Sequence, residues 1–513
     1  MDALEQLKED IRSGQIDPLR FVDLLDRLQQ QVQTTQRLLQ TTQQQLQTAN
    51  QRIAELEKQL AATAGTAKLE QAFSVQAEEK RQETRGKKKR KRKEKGKRGR
   101  IPTADKIARA DRTEDVYPEG VAPGDCWLSH TRVVWRLEWG SAVLIAYRVF
   151  RGPNSRYGQI PGVLGRSEFG LEIVVAIAYQ VYVIGLSFDK VCLLFHFFQN
   201  LTLSKSQAEV LLARLARHWQ KEFDILCTLL ANSLVAHADE TSWSINSVWA
   251  ILSEKARLLL FGVHKDAATL AKILDPATFA GIVISDDAAV YAHFSQAQKC
   301  WAHLLRKAIK LTLQEPQNAE YRAFTDRLLE IYRWAVRVQR DGRFRDEGRQ
   351  REVSKLEGAI AELCLPRWSA NLPPKQGVDG DFQRLVNEVC RLLIEEQLFT
   401  FVTAKPVTQP NGTTQAVGGT NNEAERTLRN PALARKTGRT NKTMAGARRQ
   451  TIVTSVLESL RLYLPVFTLA TVITAVRGWL ARGRSCFEEL LEKLGLAPLA
   501  ESILDTILPA PSG

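Results

Sequence analysis

No stretch of this chain is apolar for long enough to cross a bilayer. Its most hydrophobic run, Ile173 to Phe198, is interrupted by Gln180, Asp189 and Lys190, whereas a spanning helix needs about 20 apolar residues. Cysteine is sparse and scattered. Cys126, Cys192, Cys227, Cys300, Cys364, Cys390 and Cys486 form no C-x-x-C pair, which argues against a disulfide framework and for reduced thiols. The polar start Met1-Asp2-Ala3-Leu4-Glu5 lacks the apolar segment of a secretory signal. No P-loop, dinucleotide fingerprint or G-x-S-x-G elbow occurs, so nucleotide-driven and serine-hydrolase chemistry have no support. The expectation is a soluble intracellular protein with no membrane partner.

What the chain does have is positive charge. It carries a net +15 over 513 residues, enough length for about three domains at ~150 residues each. Between Arg85 and Arg100 stand twelve Lys/Arg against one Glu. A solvated, disordered tail is the plain reading of such a run. A block this dense also attracts polyanions by counterion release, so Lys87, Lys88, Lys89 and Arg90 are candidate DNA contacts.

Periodicity divides the chain. Leu25, Val32, Leu39, Leu46, Ile53 and Leu60 recur every seven residues, which reads as a coiled coil pairing subunits through residues 25–60. The expected order is an N-terminal helix and coiled coil over 1–64, then a basic disordered linker over 65–112. A small β-rich module follows over 113–168, with a hairpin about Gly140 between Thr131–Trp139 and Ser141–Val149. Residues 169–232 read as helical. There Ser204-Lys205-Ser206-Gln207 is a capping box opening a helix through His218, and the region is a candidate helix-turn-helix.

From 233 to 313 the pattern is strand, hairpin, helix, strand, strand, helix, with strands at Leu234–Ala238, Ser247–Ser253, Leu258–His264 and Gly281–Ser285 and a short one from Lys299–His303 running into the last helix. That order suggests a mixed α/β sheet of the ribonuclease H type. A helical insertion and loop over 314–420 and a basic, helical segment over 421–513 complete it. The fold class is therefore multidomain and mainly α, with an α/β ribonuclease H-like catalytic core carrying a helical insertion and an N-terminal coiled coil.

Three acidic stations stand in this second half. Asp239 follows one expected strand, Asp286 follows another, and Glu425 opens a basic helix. Phosphoryl transfer on a metal pair needs carboxylates that share divalent ions, and Mg²⁺ takes hard oxygen ligands without histidine. Each acid also has a bland reading. An Asp after a strand often caps a helix or holds a turn, and Asn422 with Glu425 three residues on would make a capping box. Glu240, Asp287 and Glu423 are adjacent competitors that spacing does not separate from the three. Cys300-Trp301-Ala302-His303 and the Cys126/His130 set are each half of a zinc site, so zinc is not expected. After Glu425 come Arg426, Arg429, Arg435, Lys436, Arg439, Lys442, Arg448 and Arg449 with no acid before Glu458, a one-sign run suited to gripping phosphates.

These residues carry a resemblance. Asp239-Glu240-Thr241, Asp286 with Tyr291 five residues on, Cys300-Trp301-Ala302-His303-Leu304-Leu305-Arg306, and Asn421-Asn422-x-Ala424-Glu425-Arg426-x-Leu428-Arg429 with Arg435-Lys436 resemble the insertion sequence 66 family of DDE transposases, from about Phe169 onward. The resemblance implies a catalytic and metal-binding triad of Asp239, Asp286 and Glu425 holding two Mg²⁺ (or Mn²⁺) ions. It also implies DNA contacts at Arg426, Arg429, Arg435 and Lys436, element ends and target DNA as partners, possible accessory proteins from the same element, and a cytoplasmic, nucleoid-associated location. Family members carry a Cys-rich zinc module where only Cys126 and His130 stand here, and usually Gly where this chain has Asp287. The function implied is metal-dependent cleavage at the ends of a mobile element and strand transfer into target DNA. The alternatives are a structure-selective ribonuclease H-like nuclease without strand transfer, and a DNA-binding regulator with an inactive core.

Overall fold

The computed structural model describes residues 102–370, 377–498 and 501–508, together with scattered positions between 26 and 51. The chain divides into two compact units, Met1–Arg100 and Ile101–Gly513. In the first unit the described positions are helical and exposed, Val32 among them. The rest of the heptad seam, and Lys87, Lys88, Lys89 and Arg90 in the basic run, lie outside the described residues. None of the described helices is long and apolar enough to cross a membrane.

The second unit opens with α1 (Thr103–Ala108) and a three-stranded sheet. β2 (Trp127–Glu138) and β3 (Ser141–Arg151) form the expected hairpin, with Trp139 and Gly140 both at positive φ in a two-residue turn. Such turns match the twist of the strands they join. Arg112, the last residue of the expected linker, instead begins β1 (Arg112–Val116), which pairs parallel to β3. Four helices follow: α2 (Leu171–Ala178), α3 (Phe188–Gln199), α4 (Lys205–His218) and α5 (Gln220–Ala231). The Ser204–Gln207 capping box is present, with both reciprocal hydrogen bonds.

The central sheet has five strands in the order β6-β5-β4-β7-β8. They are β4 (Val235–Ser242), β5 (Ser247–Ser253), β6 (Arg257–Val263), β7 (Ile282–Ser285) and β8 (Ala297–Lys299), with the short helix α6 (Ala267–Ala271) between β6 and β7. β4, β5 and β6 are antiparallel neighbours, while β7 and β8 continue parallel to β4. Alternation of side chains sorts the faces. Val248, Ala250 and Leu252 bury on one face, and Trp249 and Ile251 on the other. β4 runs beyond the expected end at Ala238, because its pairing with β5 continues to Ser242. Asp239 is therefore within the strand, opposite Ala250, rather than after it.

Beyond the sheet, α7 (Trp301–Gln314) leads into the helical insertion: α8 (Ala319–Arg340), α9 (Asp346–Cys364) and α10 (Val378–Ile394). Tyr321, Phe324, Leu328, Ile331, Ala335 and Val338 alternate by three and four along α8, the period of one buried helix face. They join Val235 and Ile284 of the sheet and Trp301 and Leu304 of α7 in one apolar cluster. The short α11 (Thr400–Thr403) and the ribbon β9 (Val407–Thr408) with β10 (Thr414–Gln415) return the chain to α12 (Asn422–Lys436). α13 (Met444–Leu460), α14 (Leu469–Arg482), α15 (Cys486–Lys493) and α16 (Ile503–Ile507) follow.

α13 seals the sheet edge. An edge strand presents unpaired N–H groups that would otherwise recruit another strand. Here Thr451, Ser455 and Ser459, spaced at one helical turn, accept the N–H groups of Phe261, Leu259 and Arg257 at 2.9, 3.0 and 2.9 Å. All three hydroxyl residues are buried. This ladder carries no apolar periodicity for a sequence reading to detect.

Candidate active site

The pairing of β4 with β7 brings two acids together. Val235, Ala236 and His237 lie opposite Ile282, Val283 and Ile284. Continued two residues further, the same register sets Asp239 beside Asp286. Alternation also separates Asp239 from Glu240. Asp239 shares the face of Val235 and His237, toward α7 and α12, whereas Glu240 turns to the other face. There it accepts from the Tyr291 hydroxyl and pairs with Lys265 at 2.7 Å.

The third acid arrives on α12, which packs its Ala424 and Leu428 against Val248, Ala250 and Leu252 of β5. Asn421, fully buried, is the N-cap by backbone position but makes no side-chain cap. The capping box considered from sequence is therefore absent, and Glu425 N–H bonds the Asn421 carbonyl instead. The Asn421 side chain donates to the carbonyl of Ala238 at 2.7 Å, one residue before Asp239. Its backbone N–H donates to Cys300 Sγ at 3.1 Å, and the Cys300 N–H donates to Ser285 O at 2.9 Å, one residue before Asp286. Two buried residues, through three hydrogen bonds, thus link the backbones that carry the three acids. The isolated cysteine that suggested half a zinc site is the middle of this link.

Charge at the site is unbalanced. Burial, then the neighbouring Glu240 charge, and further the Asp286 and Glu425 carboxylates push the Asp239 carboxyl up to about 7. No described cation forms an ion pair with Asp239. Asp286 Oδ1 accepts from Ala288 N–H at 3.1 Å. Its carbonyl receives the buried ammonium of Lys299 at 3.2 Å, a cation whose pKa is lowered by burial. Glu425 is met by Arg306 at 2.7 Å and lies 3.6 Å from His303 Nδ1. Burial, then the Arg306 charge, lowers the His303 pKa. Ligand atoms of Cys300, His303 and Glu425 lie within 4.8 Å of one another, so the partner missing from the Cys300/His303 set comes from α12.

The competing acids are engaged elsewhere. Asp287 pairs with Arg391 of α10 at 2.5 Å, and Glu423 with Arg257. Among the cations after Glu425, Arg426, Arg429 and Lys436 are exposed. Arg435 donates to the carbonyl of Ser242 at 2.7 Å, fastening α12 to the end of β4. Arg448 pairs with Asp505, and Arg449 with Glu209 and the Tyr182 hydroxyl. Those two serve the fold rather than an open cationic face. Arg306, His303, Asn421 and Lys299 were not singled out as site residues from the sequence. The only available signal was their position within the Cys300–Arg306 and Asn421–Arg429 blocks.

Partial burial and the charges of Glu240, Asp286 and Glu425 all disfavour ionised Asp239, and carboxylate oxygens are the ligands that a hard divalent ion takes. No curated protein matches the chain in sequence. A family model described as Transposase IS66 family matches residues 166–449, a span that holds all three acids and the blocks around them, and the chain belongs to that family.

Proposed function

We propose that the protein is a DDE transposase that cleaves DNA at the ends of its mobile element and joins the freed ends to target DNA. The observation that supports this reading is the strand register that sets Asp239 beside Asp286, together with the Asn421 bond to Ala238 that ties the start of the Glu425 helix to the same strand. The strand order, antiparallel on one side of β4 and parallel on the other, supports a ribonuclease H-like core interrupted by the helical insertion.

Asp239, Asp286 and Glu425 would hold two Mg²⁺ or Mn²⁺ ions, which supply Lewis-acid polarisation of the scissile phosphate and neutralise its developing charge. The residues do the rest. Asp239 would serve as the carboxylate, and Glu425 would be drawn from its pair with Arg306. Asn421, through Ala238, and Cys300, through Ser285, hold the strands at fixed separation, so neither acid has to be reorganised for the reaction. Arg426, Arg429 and Lys436 on α12 reach backbone phosphates, and Arg435 keeps that helix in place. In the first step a water oxygen bonds to phosphorus as the P–O3′ bond breaks, leaving a 3′-hydroxyl. In the second, that hydroxyl oxygen bonds to a target phosphorus and displaces a target 3′-oxygen, which takes up the proton. Pairing of subunits through residues 25–60 and capture of ends by Lys87–Arg90 complete the proposal, since two ends require two active sites.

The test is an in-cell excision or mating-out assay of the parent beside Asp286→Asn and Glu425→Gln. Movement should vanish in both variants at unchanged protein level. Movement at parental frequency in either would sink the proposal. Incubation with end-containing DNA and plasmid separates the enzyme classes, since a nuclease cuts without yielding joined product.

A further inference from the structure

A cavity of about 440 Å³ lies against the side of α12 next to the acidic site. This is within the range of about 300–1,000 Å³ of small-molecule sites. Arg426, Thr427, Asn430 and Pro431 of α12 line it, beginning one residue after Glu425. Trp243 lines it too, one residue past the end of β4 and four past Asp239. At about 3.3 Å per extended residue, that is within about 13 Å of Asp239.

The walls are apolar and aromatic where the floor is polar. Trp243 meets Phe261 edge to face with ring centroids 5.3 Å apart, and half-buried Phe188 contributes at the start of α3. From α13 come Gln450, Thr454 and Glu458, one helical turn apart. This stripe runs beside the Thr451/Ser455/Ser459 ladder and contrasts with it. Every hydroxyl of the ladder receives a backbone N–H, whereas Thr454, 2% exposed, has no hydrogen-bond partner for Oγ1. A buried hydroxyl without a partner is a rare and costly feature, and this one belongs to the polar lining of the cavity. Trp243 Nε1 donates to Asn441 Oδ1, and Asn441 Nδ2 to Gln450 Oε1, which leaves the Gln450 amide N–H groups for a ligand. Glu458 is neutralised by Arg461 at 3.0 Å. Arg426 is exposed and forms no ion pair with a described residue, and Arg439, also exposed and lining the cavity, donates to the Gly185 carbonyl.

Exposed cations, aromatic walls and a floor of amide, hydroxyl and carboxylate match phosphate, base face and base edge in that order. We propose that this cavity receives a single unstacked nucleotide of the DNA strand held at the carboxylate site, with its base against Trp243 and Phe188 and its edge read by Gln450 and Thr454. The assignment rests on the transposase reading above and deepens it. Holding one nucleotide out of the stack fixes the strand's register against the acids, and the unpairing is least costly at a strand end or mismatch.

The experiment uses the full chain and two duplexes of the same sequence, one fully paired and one with a single bulged nucleotide. The parent should bind the bulged duplex about tenfold tighter, the low end of what base–aromatic stacking contributes. Asn430→Trp, which fills the cavity from the exposed side of α12, and the isosteric Thr454→Val should bring that ratio toward one while leaving affinity for the paired duplex unchanged. Equal binding of the two duplexes by the parent, or an undiminished preference in Asn430→Trp, overturns the nucleotide site and leaves the transposase reading standing. Failure of the parent to bind either duplex overturns both.

Discussion

The helical insertion and the sheet it interrupts are stabilised by different means. α8 packs on the rest of the unit mainly through an apolar stripe, with Phe324, Leu328, Ile331 and Ala335 fully or nearly fully buried, Thr325 and Gln339 adding hydrogen bonds to the Ala308 and Phe401 carbonyls, and charges such as Arg327 and Glu330 pairing on the surface at 3.1 Å. In the sheet the decisive contacts are polar and buried: Asn421 on Ala238, Cys300 between Asn421 and Ser285, and the Thr451/Ser455/Ser459 ladder on β6. Apolar contacts are non-directional and tolerate repacking. Hydrogen bonds fix distance and angle, and a set of carboxylates that must converge needs that fixity.

The contrast predicts a double dissociation. Glu425→Gln or Asp239→Asn should abolish metal-dependent DNA cleavage, a loss of several orders of magnitude, with melting temperature held or raised because one repelling charge is gone. Leu328→Ala should do the reverse. It should cost about 2–5 kcal/mol by denaturant unfolding, while cleavage per folded molecule stays near the parent's. Equal loss of cleavage in both would show that the insertion contributes to the chemistry.

Acidity sharpens the same contrast. Asp239 has a folded pKa near 7 against about 3.9 for an ordinary Asp, so the folded state binds this proton more tightly than the unfolded state. Its stabilising contribution is complete below pH ~4 and is lost as pH rises through about 7. Metal-free protein should therefore lose stability from pH 4 to 7 through this group, and Asp239→Asn should show a flatter profile. Loading with Mn²⁺ should release protons near neutrality, and apparent metal affinity should fall as pH drops below 7. Calorimetric titration in two buffers of different ionisation enthalpy measures that release. The edge ladder gives a smaller effect. Ser455→Ala leaves the Leu259 N–H buried without its acceptor and should cost about 1–3 kcal/mol, with stability changed more than cleavage.

What the sequence disclosed follows this division. Local patterns located the β2–β3 hairpin, the Ser204 capping box and β5 to the residue, because each is written in its own segment. Spacing did not separate the three acids from Glu240, Asp287 and Glu423, and only the resemblance set Asp287 and Glu423 aside. In the structure face alternation turns Glu240 away, and two distant cations, Arg391 and Arg257, occupy Asp287 and Glu423. β4 was read short because Asp239, Glu240 and Thr241 are poor strand formers in isolation; pairing with β5 holds them extended. Cys300 offers a single weak acceptor and Asn421 a single amide, and neither has meaning until their segments meet. Buried polar links across long sequence separations are the part of this site that no local pattern encodes.

Arg306 provides the finest test of how far that fixity extends. It pairs with Glu425 at 2.7 Å and is about half exposed at 56%, the kind of ion pair worth about 0–1 kcal/mol. If the pair only occupies Glu425 until a metal arrives, removing it frees a ligand. Arg306→Met, which keeps the apolar stem, should then tighten apparent Mn²⁺ affinity by up to about fivefold, the factor that ~1 kcal/mol corresponds to, and leave the metal-saturated rate unchanged. If Arg306 instead orients the carboxylate, the same variant should weaken metal binding and lower the saturated rate, with Arg306→Lys restoring part of both. A metal titration of the cleavage rate distinguishes the outcomes. The first would place Arg306 with the displaceable surface pairs of the insertion, and the second with Asn421 and Cys300 in the frame of the site.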